Sequence, residues 1–409
     1  MTSELVPVHV GLMGHIDHGK TALAAVLSDG VYTAGLDKHP QARQRGITID
    51  LGFTMFRVGS FLVTLVDAPG HADLIRSVVA GANIIDMAIL VVAADEGPKV
   101  QTGEHLIVLQ SVGITTLLVA ITKTDLVTPE RVNAVESQMR SIVGDLPFDD
   151  VRFVCVSAKT GDGVDELRSV LGDMLSPRPR DNRGPFMMPI DHAFPVRGHG
   201  TVVTGTILRG RVEVNDTVEM SPGGERTRVR AIQTFGSPRN TAQAGDRVGI
   251  NVPELDHRQI HRGDYLSTPD TLTVTDLLVT KLHRNPLYKG SIRSGMIVSA
   301  HIGMCAVTSE IQLLSESEGR HVLLDEATEN SFTAILRTKR PVAAENGMHV
   351  LLLRTDLPPT SMRIVASGVI DAVEFRHTLY RRRTRRGAVQ RTQGENVFCL
   401  LYTSPSPRD

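Results

Sequence analysis

Residues Gly14 to Thr21 read Gly-His-Ile-Asp-His-Gly-Lys-Thr, a match to GxxxxGK[ST]. The glycines let backbone N–H groups curl around phosphate oxygens. The Lys20 ammonium is placed to reach the β- and γ-phosphates, and the Thr21 hydroxyl to bind Mg²⁺. Such a loop works only between a strand and a helix. Here it follows the apolar run Val8 to Met13 and precedes TALAAVLSD, a helix-forming stretch closed by Gly30.

The surrounding chain supplies the rest of that fold. Phe61 to Val66 is strand-like and leads into DAPGH. After it Leu74, Ile75, Val78, Val79 and Ala82 share a helical face. Met87 to Ala93, Thr116 to Ile121 and Arg152 to Val156 read as strands. Thr128-Pro129 caps a helix with Val132, Val135, Met139 and Ile142 inward, and Val164, Leu167, Val170 and Met174 line a last one. Alternating strands and helices predict an α/β, mostly parallel, doubly wound sheet over residues 1–178. Beyond the Pro/Arg linker SPRPRDNRGP the pattern changes. Short Val- and Thr-rich segments between Gly turns predict two all-β barrels, over 185–270 and 271–376. Residues 377–409 hold a basic linker and GAVQRTQGENVFCLL, a hairpin turning near Gly394, then a polar Pro-rich end. A lone hairpin is marginal, so the chain is expected to stop just inside a further module.

Four more segments extend the nucleotide motif. Asp67-Ala68-Pro69-Gly70-His71 ends an apolar strand; Asp67 is placed to hold Mg²⁺ through water, and Gly70 to turn its N–H to the γ-phosphate. Thr48, within Arg45-Gly46-Ile47-Thr48-Ile49-Asp50, is the expected second hydroxyl ligand to the metal, present only while the γ-phosphate orders the loop. Thr122-Lys123-Thr124-Asp125 follows the strand TLLVAI. The Asp125 carboxylate accepts from guanine N1–H and the 2-amino group, which adenine cannot supply, and Lys123 packs along the base. Ser157-Ala158-Lys159 offers backbone amides to guanine O6.

In order, these five segments resemble the nucleotide motifs of the translational GTPases. The likeness runs through both barrels to about residue 375. Thr122 stands where most relatives have the asparagine that braces the phosphate loop. The resemblance implies that GTP or GDP binds with Mg²⁺, and that Gly14, His15, Asp17, His18, Gly19, Lys20 and Thr21 contact the nucleotide. It further implies that His71 orients the attacking water and that Ile16 and Ile47 form an apolar gate before it. RGITIDLGF, PFMMPIDHAFPVRGHGTVVTGTI and TDLPPTSMRIVASGVI resemble the selenocysteine-specific branch of that family, in its archaeal and eukaryotic form. That branch implies delivery of selenocysteinyl-tRNA to the ribosome, with GTP hydrolysed on codon recognition. Its first barrel would hold the aminoacyl end, through Asp191, His192 and Arg247. A selenol is largely an anion at neutral pH, so Arg and His would favour it over serine. An internal Asp191–Arg247 ion pair is the competing reading, and Arg197 could also serve. The winged-helix domains of the bacterial form have no counterpart here, which implies an accessory RNA-binding protein.

Composition bounds these readings. The 409 residues, 41% hydrophobic and 22% charged, suit a globular protein of roughly two to four domains. A net charge of −1 leaves nucleic-acid contact to local patches, of which Arg381, Arg382, Arg383, Arg385 and Arg386 are the densest. Cys155, Cys305 and Cys399 lack CxxC spacing and read as reduced thiols in a cytoplasmic protein. No basic-apolar leader opens the sequence, and no apolar run is long enough to span a bilayer. Carriers of other aminoacyl- or initiator-tRNAs, a GTPase subunit of sulfate activation and a non-hydrolysing interaction module remain alternatives.

Overall fold

A strand apolar at every position has to be covered on both faces, and Met87–Ala93 is buried at all seven of its residues. It belongs to a six-stranded sheet ordered β2-β3-β1-β4-β5-β6. The strands are β1 (Val6–Gly14), β2 (Gly52–Val58), β3 (Phe61–Asp67), β4 (Met87–Ala93), β5 (Thr116–Thr122) and β6 (Asp150–Cys155). All neighbours run parallel except β2, which pairs antiparallel with β3 at one edge. The computed structural model describes residues 6–28, 52–67, 85–176, 180–234, 237–317, 320–358, 361–381, 386–393 and 396–402, the side chains of 52, 53, 67, 317 and 386–402 excepted. Gly30, the Arg45–Asp50 segment, Gly70, His71 and the helix expected at Leu74–Ala82 therefore lie outside the described residues.

Helices α1 (Lys20–Leu27), α2 (Val100–Ser111), α3 (Pro129–Gly144) and α4 (Val164–Met174) cover the sheet. One core joins Leu12, Leu23, Leu65, Ile89, Leu118 and Leu171; a second, on the opposite face, joins Leu90, Leu106, Leu117, Ile121 and Met139. On α4 the fully covered residues are Val164, Leu167, Leu171 and Met174, while Val170 is only partly buried. On α3 Val135, Met139 and Val143 are buried, and Val132 and Ile142 sit at the margin. Fully burying one such side chain contributes about 1.5–3 kcal/mol.

The next module contains β7 (Met187–Val196), β8 (Gly200–Thr206), β9 (Arg211–Glu213), β10 (Thr217–Ser221), β11 (Glu225–Arg228), β12 (Ala231–Thr234), β13 (Ser237–Arg239), β14 (Thr241–Gln243), β15 (Arg247–Asn251) and β16 (Tyr265–Ser267). Eight strands form one sheet, ordered β11-β10-β16-β7-β8-β15-β12-β13, with β9 and β14 paired separately. Strand β7 feeds both halves: Met187 to Pro189 pair with β16, and Ile190 to Val196 with β8 across a register shift. Its inward residues, among them Met188, Ile190, Val203, Val248 and Leu266, fill one core.

The third module comprises β17 (Thr273–Arg284), β18 (Ile297–Ile302), β19 (Cys305–Ser317), β20 (Arg320–Leu324), β21 (Ser331–Ala344), β22 (His349–Leu353), β23 (Ile364–Ala372) and β24 (Leu379–Arg381). Six of them close into a barrel, β18-β22-β23-β17-β21-β19, through β18–β19 pairing. Closure removes the open edges that β-sheets otherwise expose. Strand β20 continues from β19 outside the ring, and β24 pairs parallel to it. Strands β25 (Arg386–Gln393) and β26 (Asn396–Tyr402) form the expected hairpin.

The modules are joined by polar contacts as well as apolar ones. His9 Nε2 meets the Gly245 carbonyl at 2.7 Å, and Arg180 donates to Asp86 at 2.7 Å. Arg209 makes a two-pronged pair with Glu345 at 2.9 and 3.0 Å. Leu351, Leu353 and Ile364 of the third module share the core of α2. Among the described residues no helix is long and apolar enough to cross a membrane.

Candidate functional site

Strand β1 neighbours both β3 and β4, and the chain leaves it in opposite directions across the sheet. Such a switch point opens a crevice at the carboxyl ends of the strands. Gly14 at the end of β1, Asp67 at the end of β3, Thr122 at the end of β5 and Ser157 just beyond β6 all reach that edge. Topology thus brings together the described parts of four of the segments identified in the sequence.

The loop after β1 turns through backbone that favours glycine. Gly14 has φ 148° and Gly19 φ 88°, while Asp17, with φ 61°, takes the same left-handed region as a non-glycine. A Cβ on Gly14 would stand 2.3 Å from the Val91 carbonyl oxygen, so nothing larger fits there. Lys20, the first residue of α1, folds back into this curl. Its ammonium donates to the carbonyls of Gly14 at 3.0 Å and His15 at 2.8 Å. Thr21 is exposed one residue on, Ile16 is half-buried, and Asp17 faces solvent.

Thr122 answers the departure noted in the sequence. Its hydroxyl donates to the His18 carbonyl at 2.6 Å, from the end of β5 into the phosphate loop. Threonine therefore braces the loop from the position where relatives carry asparagine. His18 lies below, its Nδ1 3.3 Å from the Val91 carbonyl, and burial pulls its pKa down to about 4. His15 meets its ring edge-on at 5.2 Å. Behind them sits His105 of α2, buried and pushed down to about 3 by burial and by the nearby Lys20 charge. His15 Nδ1, His18 Nε2 and His105 Nδ1 are buried with no hydrogen-bond partner among the described residues.

The base-side segments meet each other directly. Ser157, fully buried, donates to Asp125 Oδ1 at 2.7 Å and accepts from the Thr160 N–H at 3.2 Å. That bond holds one carboxylate oxygen of Asp125, which sits in a 3₁₀ turn, Thr124–Leu126, after Lys123 at φ 57°. Lys123 is drawn to Asp95 at 3.1 Å. Burial raises the Asp95 carboxyl, but its bonds to Lys123 outweigh that and hold it below the usual range. Ala158 is half-buried and Lys159 exposed. Asp95, which lies between the phosphate and base segments, was not legible as a site residue: no motif marks it. Asp67 is placed by backbone alone, in register with Leu12 of β1 and Gly52 of β2.

In the second module Asp191, His192 and Arg247 come together. Arg247 Nη1 donates to Asp191 Oδ2 at 2.6 Å, and His192 Nδ1 lies 3.1 Å from Asp191 Oδ1. The Thr204 hydroxyl donates to the same Oδ1. Burial alone would raise the Asp191 carboxyl; the Arg247 charge and the hydrogen bonds overcome it and hold the group far below the ordinary range. The Asp191 side chain is only 3% exposed, that of His192 26%. Of the trio, His192 presents most surface to a ligand. Arg197 is exposed on the same hairpin. Of the arginine cluster, Arg381 is exposed and 3.5 Å from Asp325; the side chains of Arg382, Arg383, Arg385 and Arg386 lie outside the described set.

Comparison with known proteins follows the same divisions. Family models match in sequence order: the elongation factor Tu GTP binding domain at residues 7–177, elongation factor Tu domain 2 at 200–267, and domain III of the archaeal selenocysteine-specific elongation factor at 272–376. A selenocysteine-specific elongation factor of Methanocaldococcus jannaschii is 40% identical over 381 residues, covering 91% of this chain and 81% of that protein. Its counterpart in Mus musculus is 36% identical over 319 residues, 72% of this chain and 54% of the mouse protein. The crystal structure of translation elongation factor SelB from Methanococcus maripaludis, in complex with the GTP analogue GppNHp, superposes with a TM-score of 0.84 at 37% identity. That superposition covers 97% of this chain and 86% of the other. With the phosphate loop, the base-side carboxylate and three successive modules all in the same order, the chain belongs to the family of selenocysteine-specific elongation factors, GTPases built on the elongation factor Tu plan.

Proposed function

We propose that this chain carries selenocysteinyl-tRNA to the ribosome in its GTP form and releases it when GTP is hydrolysed to GDP and phosphate on codon recognition. The observation that carries the reading is the convergence of Lys20, the Thr122-braced loop and the Ser157–Asp125 pair on one sheet edge. Residues 1–178 form the GTP-binding unit, 185–270 the aminoacyl-tRNA pocket and 271–376 the second barrel, with 377–409 a basic linker opening a further module. Catalysis of this kind is mostly positioning and charge stabilisation. Gly14 to Thr21 cradle the phosphates, and Gly70 donates to the γ-phosphate. Asp125, Lys123 and the amides of Ser157, Ala158 and Lys159 select guanine.

The oxygen donors expected at this edge suit a Mg²⁺ ion. Thr21 is exposed at the helix start, and the β1–β3 register brings the Asp67 backbone alongside the strand that leads into the loop. Hydroxyls and a carboxylate are the hard ligands this cation prefers. Thr21, Thr48 and Asp67 would hold it, and it would neutralise charge on the phosphates. His71 orients the attacking water, which Ile16 and Ile47 shield until ribosome contact. The variant His71→Ala should bind GTP normally and lose ribosome-stimulated turnover; unchanged stimulated turnover would remove His71 from this role.

Asp191 orients Arg247 and His192; the Arg247 guanidinium attracts the selenolate, and the His192 ring lines its approach. An accessory RNA-binding protein supplies recognition of the recoding signal. The decisive experiment measures binding of selenocysteinyl-, seryl- and bulk aminoacyl-tRNA with a non-hydrolysable GTP analogue. Preference for the selenocysteinyl form supports the assignment. Equal affinity for the seryl form would reduce the chain to a general tRNA carrier, and no tRNA binding at all would favour a metabolic GTPase.

A further inference from the structure

The third module carries a second cluster of rings and cations, remote in sequence from the nucleotide motifs. His321 of β20, Phe375 and His377 meet as three rings. The centroid distances are 5.2 Å for His321–Phe375, 4.6 Å for His321–His377 and 5.5 Å for Phe375–His377. Phe375 anchors the group against a small core of Val279, Leu314 and Ile335, and His377 is its exposed outer member. Next to it the Arg320 guanidinium lies 5.6 Å over the Tyr380 ring, which is 46% exposed.

The strand pairing explains the layout. Parallel β20 and β24 set His321 opposite Leu379 and Val322 opposite Tyr380. Alternate residues of a strand point to opposite faces. The His321 group and the Tyr380–Arg320 pair therefore occupy the two faces of one sheet edge. The described Arg320, Arg376 and Arg381 bring cations to that edge, and the sequence from Arg376 to Arg386 has six arginines and no acidic residue. The nearest carboxylates lie just outside, Glu374 on Arg376 at 2.6 Å and Asp325 on Arg381 at 3.5 Å. Both pairs are exposed, and exposed pairs contribute little, so either arginine can exchange its carboxylate for a phosphate.

We propose that this edge is a stacking platform for single-stranded RNA. Rings flanked by arginines are the elements that hold unpaired nucleotides: bases stack on the ring faces, and guanidinium groups pair with the backbone. The geometry also selects the form of the RNA. Two ring positions on opposite faces of an edge are within reach of a flexible strand whose bases can be splayed. A duplex keeps its bases stacked inside and offers the edge only phosphates. The occupant is thus distinct from the helical stems of a tRNA, and the inference stands whether or not the chain carries one.

The test uses the whole chain and a labelled, unstructured twelve-nucleotide RNA, with the blunt duplex of the same length as competitor class, read by fluorescence anisotropy. The single strand should bind at least about tenfold more tightly than the duplex, because stacking adds to phosphate contact. His377→Ala and Tyr380→Ala should each weaken single-strand binding by about tenfold and leave duplex binding within about twofold. His377→Tyr should restore it. Both residues are exposed, and unchanged binding of a GTP analogue shows that the variants are folded. Equal affinity for both forms, or alanine variants that leave the single strand unaffected while Arg381→Ala weakens both forms alike, would reduce the edge to a general phosphate patch and overturn the proposal. Capture of an acidic peptide in place of RNA would overturn it too.

Discussion

The phosphate loop and the Asp191 cluster are both built from buried polar groups, yet they are finished differently. Around the loop, three histidine nitrogens are buried with no partner among the described residues, and Lys20 caps loop carbonyls that do not bear a full charge. Around Asp191, both carboxylate oxygens are occupied, by Arg247 on one side and by Thr204 and His192 on the other. An ammonium held by neutral carbonyls can exchange them for a polyanion. A carboxylate already matched to an arginine is a structural element first, and offers a ligand only the outward faces of its partners. The contrast teaches that a charge held by neutral groups marks a ligand site more readily than one matched by an opposite charge.

The largest effect expected from this contrast is on stability at Asp191. Asp191→Ala removes the buried carboxylate that Arg247, Thr204 and His192 all address and should destabilise the fold by about 3–5 kcal/mol in urea unfolding. A loss below about 1 kcal/mol would mean that the cluster is not closed on itself. Lys20→Ala should do the opposite: GTP affinity falls by about a hundredfold or more, since bonds from a cation to phosphate are worth roughly 1.5–3 kcal/mol each. Calorimetry measures it, and an unfolding midpoint near that of the parent chain completes the contrast.

Acid separates the two regions on another axis. His9, at the junction with the second module, is pulled down to about 4 by burial, as is His18 beneath the loop. Unfolded, each titrates near 6.5, so between about 6.5 and 4 the unfolded chain binds more protons and stability falls as pH drops. His9→Asn should flatten the pH slope of unfolding free energy across this window. Asp191 behaves differently: its lowered pKa gives stability that is complete above the ordinary carboxylate value and is lost only below it. A slope at pH 5 that vanished in Asp191→Asn and survived in His9→Asn would reverse this assignment.

The smallest expected effect concerns the brace. Thr122→Val removes the bond to the His18 carbonyl and should cost about 1–2 kcal/mol in GTP affinity. Thr122→Asn should restore most of it. Equal loss in both variants would place the requirement in the shape of the threonine and not in its hydrogen bond.

The loops proposed to hold the nucleotide could be located from the sequence, because each is a contiguous run set by a strand end. The third module's closure was legible only as a barrel expectation; which strands meet was settled by the β18–β19 pairing. Two elements escaped the sequence. Helix α2 is buried on several sides, with Thr102, Glu104 and His105 covered as well as Leu106 to Leu109, so it lacks the one-sided apolar stripe that reveals a helix. Strand β2 followed directly on the Arg45–Asp50 motif, and its antiparallel pairing with β3 gave no local signal. Of the four residues expected on the inward face of α4, Val164, Leu167 and Met174 are buried; Val170 is only partly so, and Leu171, not singled out in the sequence, is fully covered.

What the residues determined unaided was chemistry whose parts lie close together along the chain: a glycine curl, a lysine and a threonine at a helix start, an aspartate after an apolar strand. Those spacings are dictated by backbone geometry within a few residues, so the primary structure alone carries them. Only the tertiary structure decided which distant groups neutralise one another. Arg247 reaches Asp191 across 56 positions, Thr122 reaches His18 across 104, and His9 finds Gly245 across 236. Such pairings depend on how whole modules pack, and no local propensity encodes them.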